Sequence, residues 1–183
     1  MGDLFMNTRD LAIYFAGLSH KEQMYGESPY IFHLMAVDQV LADEGYTPDG
    51  VHRIASILHD TMEDCDVTRV GLEKVFGSLV AECVWRVSNE PGENRREKAS
   101  RTYPKIAGDR YALPVKLADR IANMEHSAKT YSRFGLMYVK EHPAFKSALY
   151  DRDAGATFGP LQALWHRYFE AVKRIEVTFG AAV

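Results

Sequence analysis

Apolar residues in this chain recur every three to four positions, and nowhere do they alternate over the length of a strand. Leu11, Tyr14, Phe15 and Leu18 keep that period, as do Ile31, Leu34, Val37, Val40 and Leu41. It returns in Leu161, Leu164, Trp165, Tyr168, Val172 and Ile175. A spacing near 3.6 lays side chains along one stripe of a helix, whereas a half-buried strand needs a period of two. No segment repeats another, and no Pro- or Gly-rich linker divides the chain. The pattern predicts an all-α fold, one helical bundle spanning residues 1–183. At 46% hydrophobic and 26% charged, a chain of 183 residues can bury one core and is not disordered.

Turn residues divide this pattern into elements. Asn7 or Thr8 can cap a first helix that ends near His20. A loop follows to Pro29, which is expected to open the second helix at its first turn. Gly45, Pro48 and Gly50 separate that helix from a central one. Asp66 or Thr68 caps a fourth helix, Gly77 breaks it, and Leu79 to Val87 form a fifth. Ser88 to Glu93 is a loop, Asn94 to Lys105 is a basic polar segment, and Tyr111 to Ala128 is a long helix. Phe134 to Leu149 reads as two short helices around Pro143. A loop from Asp151 to Gly159 leads to a last helix, Pro160 to Phe179. Tyr14, Phe15, Phe76, Trp165, Tyr168 and Phe169 are assigned to the core.

The formal net charge is −3, which gives no overall attraction to nucleic acid or to an anionic membrane. Two cysteines, Cys65 and Cys83, are too few for a disulfide framework and form no C-x-x-C pair. Reduced thiols in a cytoplasmic protein are the simplest reading. Residues 1–8 lack the basic and apolar regions of a signal peptide, and Met6 breaks a myristoylation pattern. The apolar run from Leu11 to Leu18 is too short to span a bilayer.

The chemistry centres on residues 55–64, Ala-Ser-Ile-Leu-His-Asp-Thr-Met-Glu-Asp. An apolar lead-in runs straight into His59, Asp60, Glu63 and Asp64. Such groups are costly to bury without partners. On one continuous helix His59 stacks on Glu63 and Asp60 on Asp64, so all four face one small volume. A divalent cation would neutralise it, and mixed imidazole and carboxylate donors suit Mn, Fe, Co, Ni or Zn better than Ca.

Two further stretches complete a pattern. Ser28-Pro-Tyr-Ile-Phe-His33 brings a second histidine, and Val115-Lys-Leu-Ala-Asp-Arg-Ile-Ala-Asn123 places Asp119 and Asn123 on an apolar helix. With the His20-Lys-Glu-Gln23 segment, these resemble the HD phosphohydrolase superfamily. More narrowly they resemble the hydrolase domain of the RelA/SpoT alarmone enzymes and the small alarmone hydrolases. The motif-bearing part is about 20–123, with C-terminal helices 134–179 completing the domain. The resemblance implies one divalent metal, most simply Mn²⁺, on His33, His59, Asp60 and Asp119. It implies catalytic roles for Glu63 and Asp64, and contact of Asn123 with the substrate sugar or the metal's water. The implied reaction is removal of the 3′-pyrophosphate of (p)ppGpp. The alternatives are another nucleotide substrate, such as a dNTP, or a non-catalytic nucleotide sensor.

Arg95, Arg96, Lys98, Arg101 and Lys105 form a basic strip opposed only by Glu97, suited to a di- or triphosphate. Lys21 and Lys116 are further phosphate candidates. Tyr25 and Tyr103 stand in polar segments where a ring can stack on a base. One departure concerns the base itself. The arginine that the alarmone hydrolases carry after the His-x-x-Gln segment is absent, and Met24 and Tyr25 stand there instead.

Overall fold

Three of the described helices start where a capping side chain takes up a free N–H. In the computed structural model, which describes residues 6–151 and 159–180, α1 (Thr8–Ser19) is capped by Asn7, whose side chain accepts from the Asp10 N–H. A tight hairpin of β1 (Met24–Tyr25) and β2 (Ser28–Pro29) turns at Gly26, whose φ of 63° favours glycine. Helix α2 (Ile31–Asp43) follows, with Tyr30 at its start. Pro29 therefore belongs to the hairpin and does not open the helix. Next come α3 (Val51–Leu58) and the single turn α4 (Thr61–Asp64). Thr68 caps α5 (Arg69–Phe76), and Gly77, at φ 85°, parts it from α6 (Ser78–Val87).

The segment read as a basic polar strip is a helix, α7 (Arg95–Ile106), capped by Asn94. Its polarity reflects exposure on one side, while Thr102, Tyr103 and Ile106 are buried on the other. Helix α8 (Ala112–Thr130) carries Pro114 in its first turn, where no N–H is needed. Pro143 lies inside α9 (Phe134–Phe145), which continues into a π-helical stretch, Lys146–Tyr150. One element thus replaces the two short helices expected around that proline. The expected loop from residue 151 to 159 lies largely outside the described residues, as do most of the first eight. Helix α10 (Pro160–Phe179) matches the span read from its apolar spacing.

Helix α8 is the axis of the bundle, packed against α2, α3, α6, α9 and α10. It buries Leu113, Val115, Leu117, Ala118, Ile121 and Met124 against Leu34, Leu41, Ile57 and Leu58. Gly135 lets α9 approach α10, because a Cβ there would sit 2.5 Å from Ile175 Cδ1. Trp165, Tyr168 and Phe145 close the far end, whereas Tyr14 is 58% exposed and is not a core residue. A buried ion cluster pins α2 to α3. Arg53 donates to Asp38 through Nε at 2.6 Å and Nη2 at 2.7 Å, and Arg9 of α1 joins them. Among the described residues no helix is long and apolar enough to cross a membrane.

Candidate active site

The central stretch does not form one helix. Helix α3 stops at Leu58, and His59 and Asp60 form a turn before α4. Side chains take the backbone acceptors there. The Thr61 hydroxyl donates to the Leu58 carbonyl at 2.7 Å, and His59 Nδ1 lies 2.7 Å from the Ser56 carbonyl. Such local bonds compete with the helical ladder and end it. The i,i+4 stacking of His59 on Glu63 is therefore absent, and the four groups split into two sets.

The first set lies at the bottom of a cavity of about 260 Å³. Ligating atoms of His33, His59 and Asp60 lie within 4.8 Å of one another. Asp119 Oδ1 stands 3.5 Å from His33 Nε2 and 3.7 Å from His59 Nε2. The Ser56 carbonyl accepts from His59 Nδ1, which leaves Nε2 facing the cluster. That nitrogen is buried without a hydrogen-bond partner, though Asp60 Oδ2 is 2.9 Å away. A buried nitrogen left so is costly unless a cation completes it. The electrostatics agree. Burial opposes a charge on His59, but Asp60 and Asp119 outweigh it and lift its pKa well above the ordinary histidine range. Burial likewise opposes ionisation of Asp60, yet His59 brings it down to about 2. Asp119 is held well below the usual carboxylate range against its own burial, first by Lys116. The donors form a negative, nitrogen- and oxygen-bearing cluster that fits a divalent transition ion.

The second set is Glu63 and Asp64, on the cavity rim. The two oxygens of Glu63 accept from Asn89, from its Nδ2 at 2.9 Å and its backbone N–H at 3.0 Å. Asp64 Oδ2 accepts from Gln23 Nε2 at 2.8 Å, and Gln23 Oε1 lies 2.7 Å from His20 Nδ1. Burial first, then the Asp60 and Glu63 charges, raise the pKa of Asp64. Tyr30 donates to Asp60 Oδ2 at 2.6 Å and stacks on His20 at 4.9 Å. Asn123 lies on the face of Asp119 and donates to its Oδ1 at 2.7 Å, while accepting from the Tyr25 hydroxyl at 2.9 Å.

The basic strip divides, because successive residues of a helix point 100° apart. Arg95 and Lys98 line the cavity with Lys116 and Arg120. Arg96 does not; it lines an adjoining groove between α7 and α9. Arg101 pairs with Glu97 and donates to the Pro91 carbonyl. Lys105 turns back to the Trp85 and Ser88 carbonyls and to Glu90. Lys21 is exposed beside Glu22, outside the cavity. Tyr103 lies buried in α7, not in a loop, and its hydroxyl accepts from Arg120. Tyr25 lines an adjoining cavity, its ring 4.8 Å from His33 and 4.5 Å from His126. The sequence reading did not reach Asn89, Tyr30, Tyr138, Arg120 or Glu141 as members of the site. Glu141, 2.7 Å from both Arg95 Nε and Arg120 Nη2, carries no local signal at all.

The sequence model of the HD domain matches residues 12–137, which include all four residues of the histidine–aspartate cluster. The chain belongs to the HD-domain family. This HD domain is 35% identical over 116 residues to the guanosine-3′,5′-bis(diphosphate) 3′-pyrophosphohydrolase MESH1 of Danio rerio, covering 60% of this chain and 63% of that one. It is 30% identical over 145 residues to its Mus musculus counterpart, covering 69% and 79%. It is 38% identical over 103 residues to the guanosine-3′,5′-bis(diphosphate) 3′-pyrophosphohydrolase of Vibrio cholerae, covering 52% of this chain and 14% of that one. The match thus spans less than two thirds of the Danio and Vibrio proteins. The HD fold is shared with a solved structure described as "A metazoan ortholog of SpoT hydrolyzes ppGpp and plays a role in starvation responses". The TM-score is 0.69 at 22% identity, over 92% of this chain and 98% of that one.

Proposed function

We propose that this HD domain is a metal-dependent phosphohydrolase that removes the 3′-pyrophosphate of guanosine-3′,5′-bis(diphosphate) or its triphosphate analogue. The observation that carries the reading is the convergence of two imidazoles and two carboxylates beneath a second, separately held carboxylate pair. The relatives named above are 3′-pyrophosphohydrolases of that nucleotide. His33, His59, Asp60 and Asp119 would hold one divalent ion, with Mn²⁺ favoured and Fe²⁺, Co²⁺, Ni²⁺ or Zn²⁺ also suited to the donors. Such an ion, when bound, supplies Lewis acidity toward a phosphoryl oxygen and acidifies water.

The remaining work falls to the protein. Lys98, Lys116 and Arg95 neutralise the reacting diphosphate. Burial opposes a charge on Lys116, but Asp119, Asp60 and Glu63 raise its pKa and keep it cationic. Asn123 orients the sugar while it holds Asp119. Glu63 and Asp64 take the proton of the attacking water and return it to the leaving 3′ oxygen. A bond forms from water oxygen to phosphorus, the bond from phosphorus to the 3′ oxygen breaks, and pyrophosphate departs. The natural ligand is thus a small nucleotide. The proposed setting is the cytoplasm, in keeping with two unbridged thiols.

The test is release of pyrophosphate from ppGpp by the purified protein with Mn²⁺. EDTA, Asp60→Ala and the four dNTPs serve as controls. Metal-dependent release from ppGpp that Asp60→Ala abolishes is the expected result. Turnover of dNTPs in preference to ppGpp overturns the substrate, and turnover unaffected by EDTA overturns the site.

A further inference from the structure

Charge in the catalytic cavity is nearly spent before any substrate arrives. Arg95, Lys98, Lys116 and Arg120 face Asp60, Glu63, Asp64, Asp119 and Glu141. A divalent ion added to that set leaves about one net positive charge. The proposed substrate carries two diphosphates, each with about three negative charges near neutral pH. The ion and the cavity's cations serve the reacting chain, and nothing is left for a second.

Unspent cations stand next door. A groove of about 1060 Å³ runs between α7 and α9, floored by Ala99, Leu136, Met137, Ala144 and Ala148. Arg96, Arg133 and Lys140 line it, all exposed, and none makes an ion pair or side-chain hydrogen bond among the described residues. Its single carboxylate, Glu141, is already held by Arg95 and Arg120. A cleft lined by one sign of charge over a low-dielectric floor concentrates the field on an anion. Arg95 lines this groove, the catalytic cavity and the aromatic-walled cavity of about 840 Å³ beside Tyr25. It marks the point from which one ligand can reach all three.

We propose that the groove between α7 and α9 binds the second, non-reacting phosphate chain of the nucleotide, with Arg96, Arg133 and Lys140 as its counter-ions and Arg95 at the junction. The proposal rests on the bis-diphosphate reading above. It is tested with Arg133→Ala/Lys140→Ala, whose side chains are exposed and unpaired, and with the charge-keeping Arg133→Lys. KM is measured for ppGpp, pppGpp and guanosine 3′-diphosphate, which has no 5′ phosphate. The double variant's KM relative to the parent should climb with the number of 5′ phosphates, about tenfold for two and more for three, with high salt erasing the difference. Arg133→Lys should keep KM near that of the parent for all three substrates. A ratio equal for all three substrates, or no change for any, overturns the groove assignment while leaving the activity intact. Should the parent protein turn over none of them, the activity reading fails. Binding of a fluorescent GTP analogue to the same variants then decides the groove, with equal affinity for parent and double variant refuting it.

Discussion

Asn89 was silent in the sequence, yet it holds both oxygens of Glu63, and Asn89→Ala tests whether that grip serves turnover. The substitution deletes the Nδ2 bond at 2.9 Å and spares the backbone N–H at 3.0 Å, so Glu63 keeps one of two anchors. A hydrogen bond to a charged group contributes about 1.5–3 kcal/mol when buried. Both residues are exposed here, which lowers the figure to about 1 kcal/mol. The expected loss is about fivefold in kcat. Glu63→Gln, by contrast, removes the proton acceptor itself and should cost about a hundredfold to ten-thousandfold. The assay is steady-state release of pyrophosphate from ppGpp, with kcat and KM separated and the melting temperature followed in parallel. The predicted signature is a modest fall in kcat at unchanged KM, with the melting temperature lowered by no more than about 2–4 °C. A loss as large as that of Glu63→Gln, or one confined to KM, refutes the view that Asn89 positions Glu63 for proton transfer.

Two further outcomes follow from the charges. Loading the protein with Mn²⁺ at about a hundred times its Kd should raise stability by about 2.7 kcal/mol, and EDTA should reverse this, as read by thermal melts. A melting temperature indifferent to both would contradict metal binding by the buried cluster. Glu141 is held below the usual carboxylate range against its own burial, by Arg95 and Arg120. A depressed carboxylate stabilises above its unfolded pKa, near 4.5, and the contribution disappears as pH falls through the folded value. Glu141→Gln should therefore be less stable than the parent at pH 7, with the gap closing in denaturant melts below about pH 4.5. A gap that widens on acidification would reverse the assignment.

The sequence by itself determined most of the helices, because apolar period and caps are local signals. The span Pro160–Phe179 and the break at Gly77 could be read before any folding, and two caps could be narrowed to the pairs Asn7 or Thr8 and Asp66 or Thr68, of which the structure uses Asn7 and Thr68. It also determined which residue types stand in the motif, since His33, His59, Asp60 and Asp119 sit in recognisable surroundings. Tertiary structure decided what those residues meet. The turn at His59–Asp60 depends on where the Thr61 hydroxyl and the His59 ring find acceptors, which periodicity does not encode. The basic strip resembled one charged surface in sequence. Only the orientation of α7 sends Arg95 and Lys98 into the cavity, Arg96 into the groove and Lys105 back to the carbonyls of Trp85 and Ser88. Asn89, Gln23 and Glu141 reach their partners across 26, 41 and 46 residues. Contacts of that range are fixed by packing around α8, and no local pattern of residues announces them.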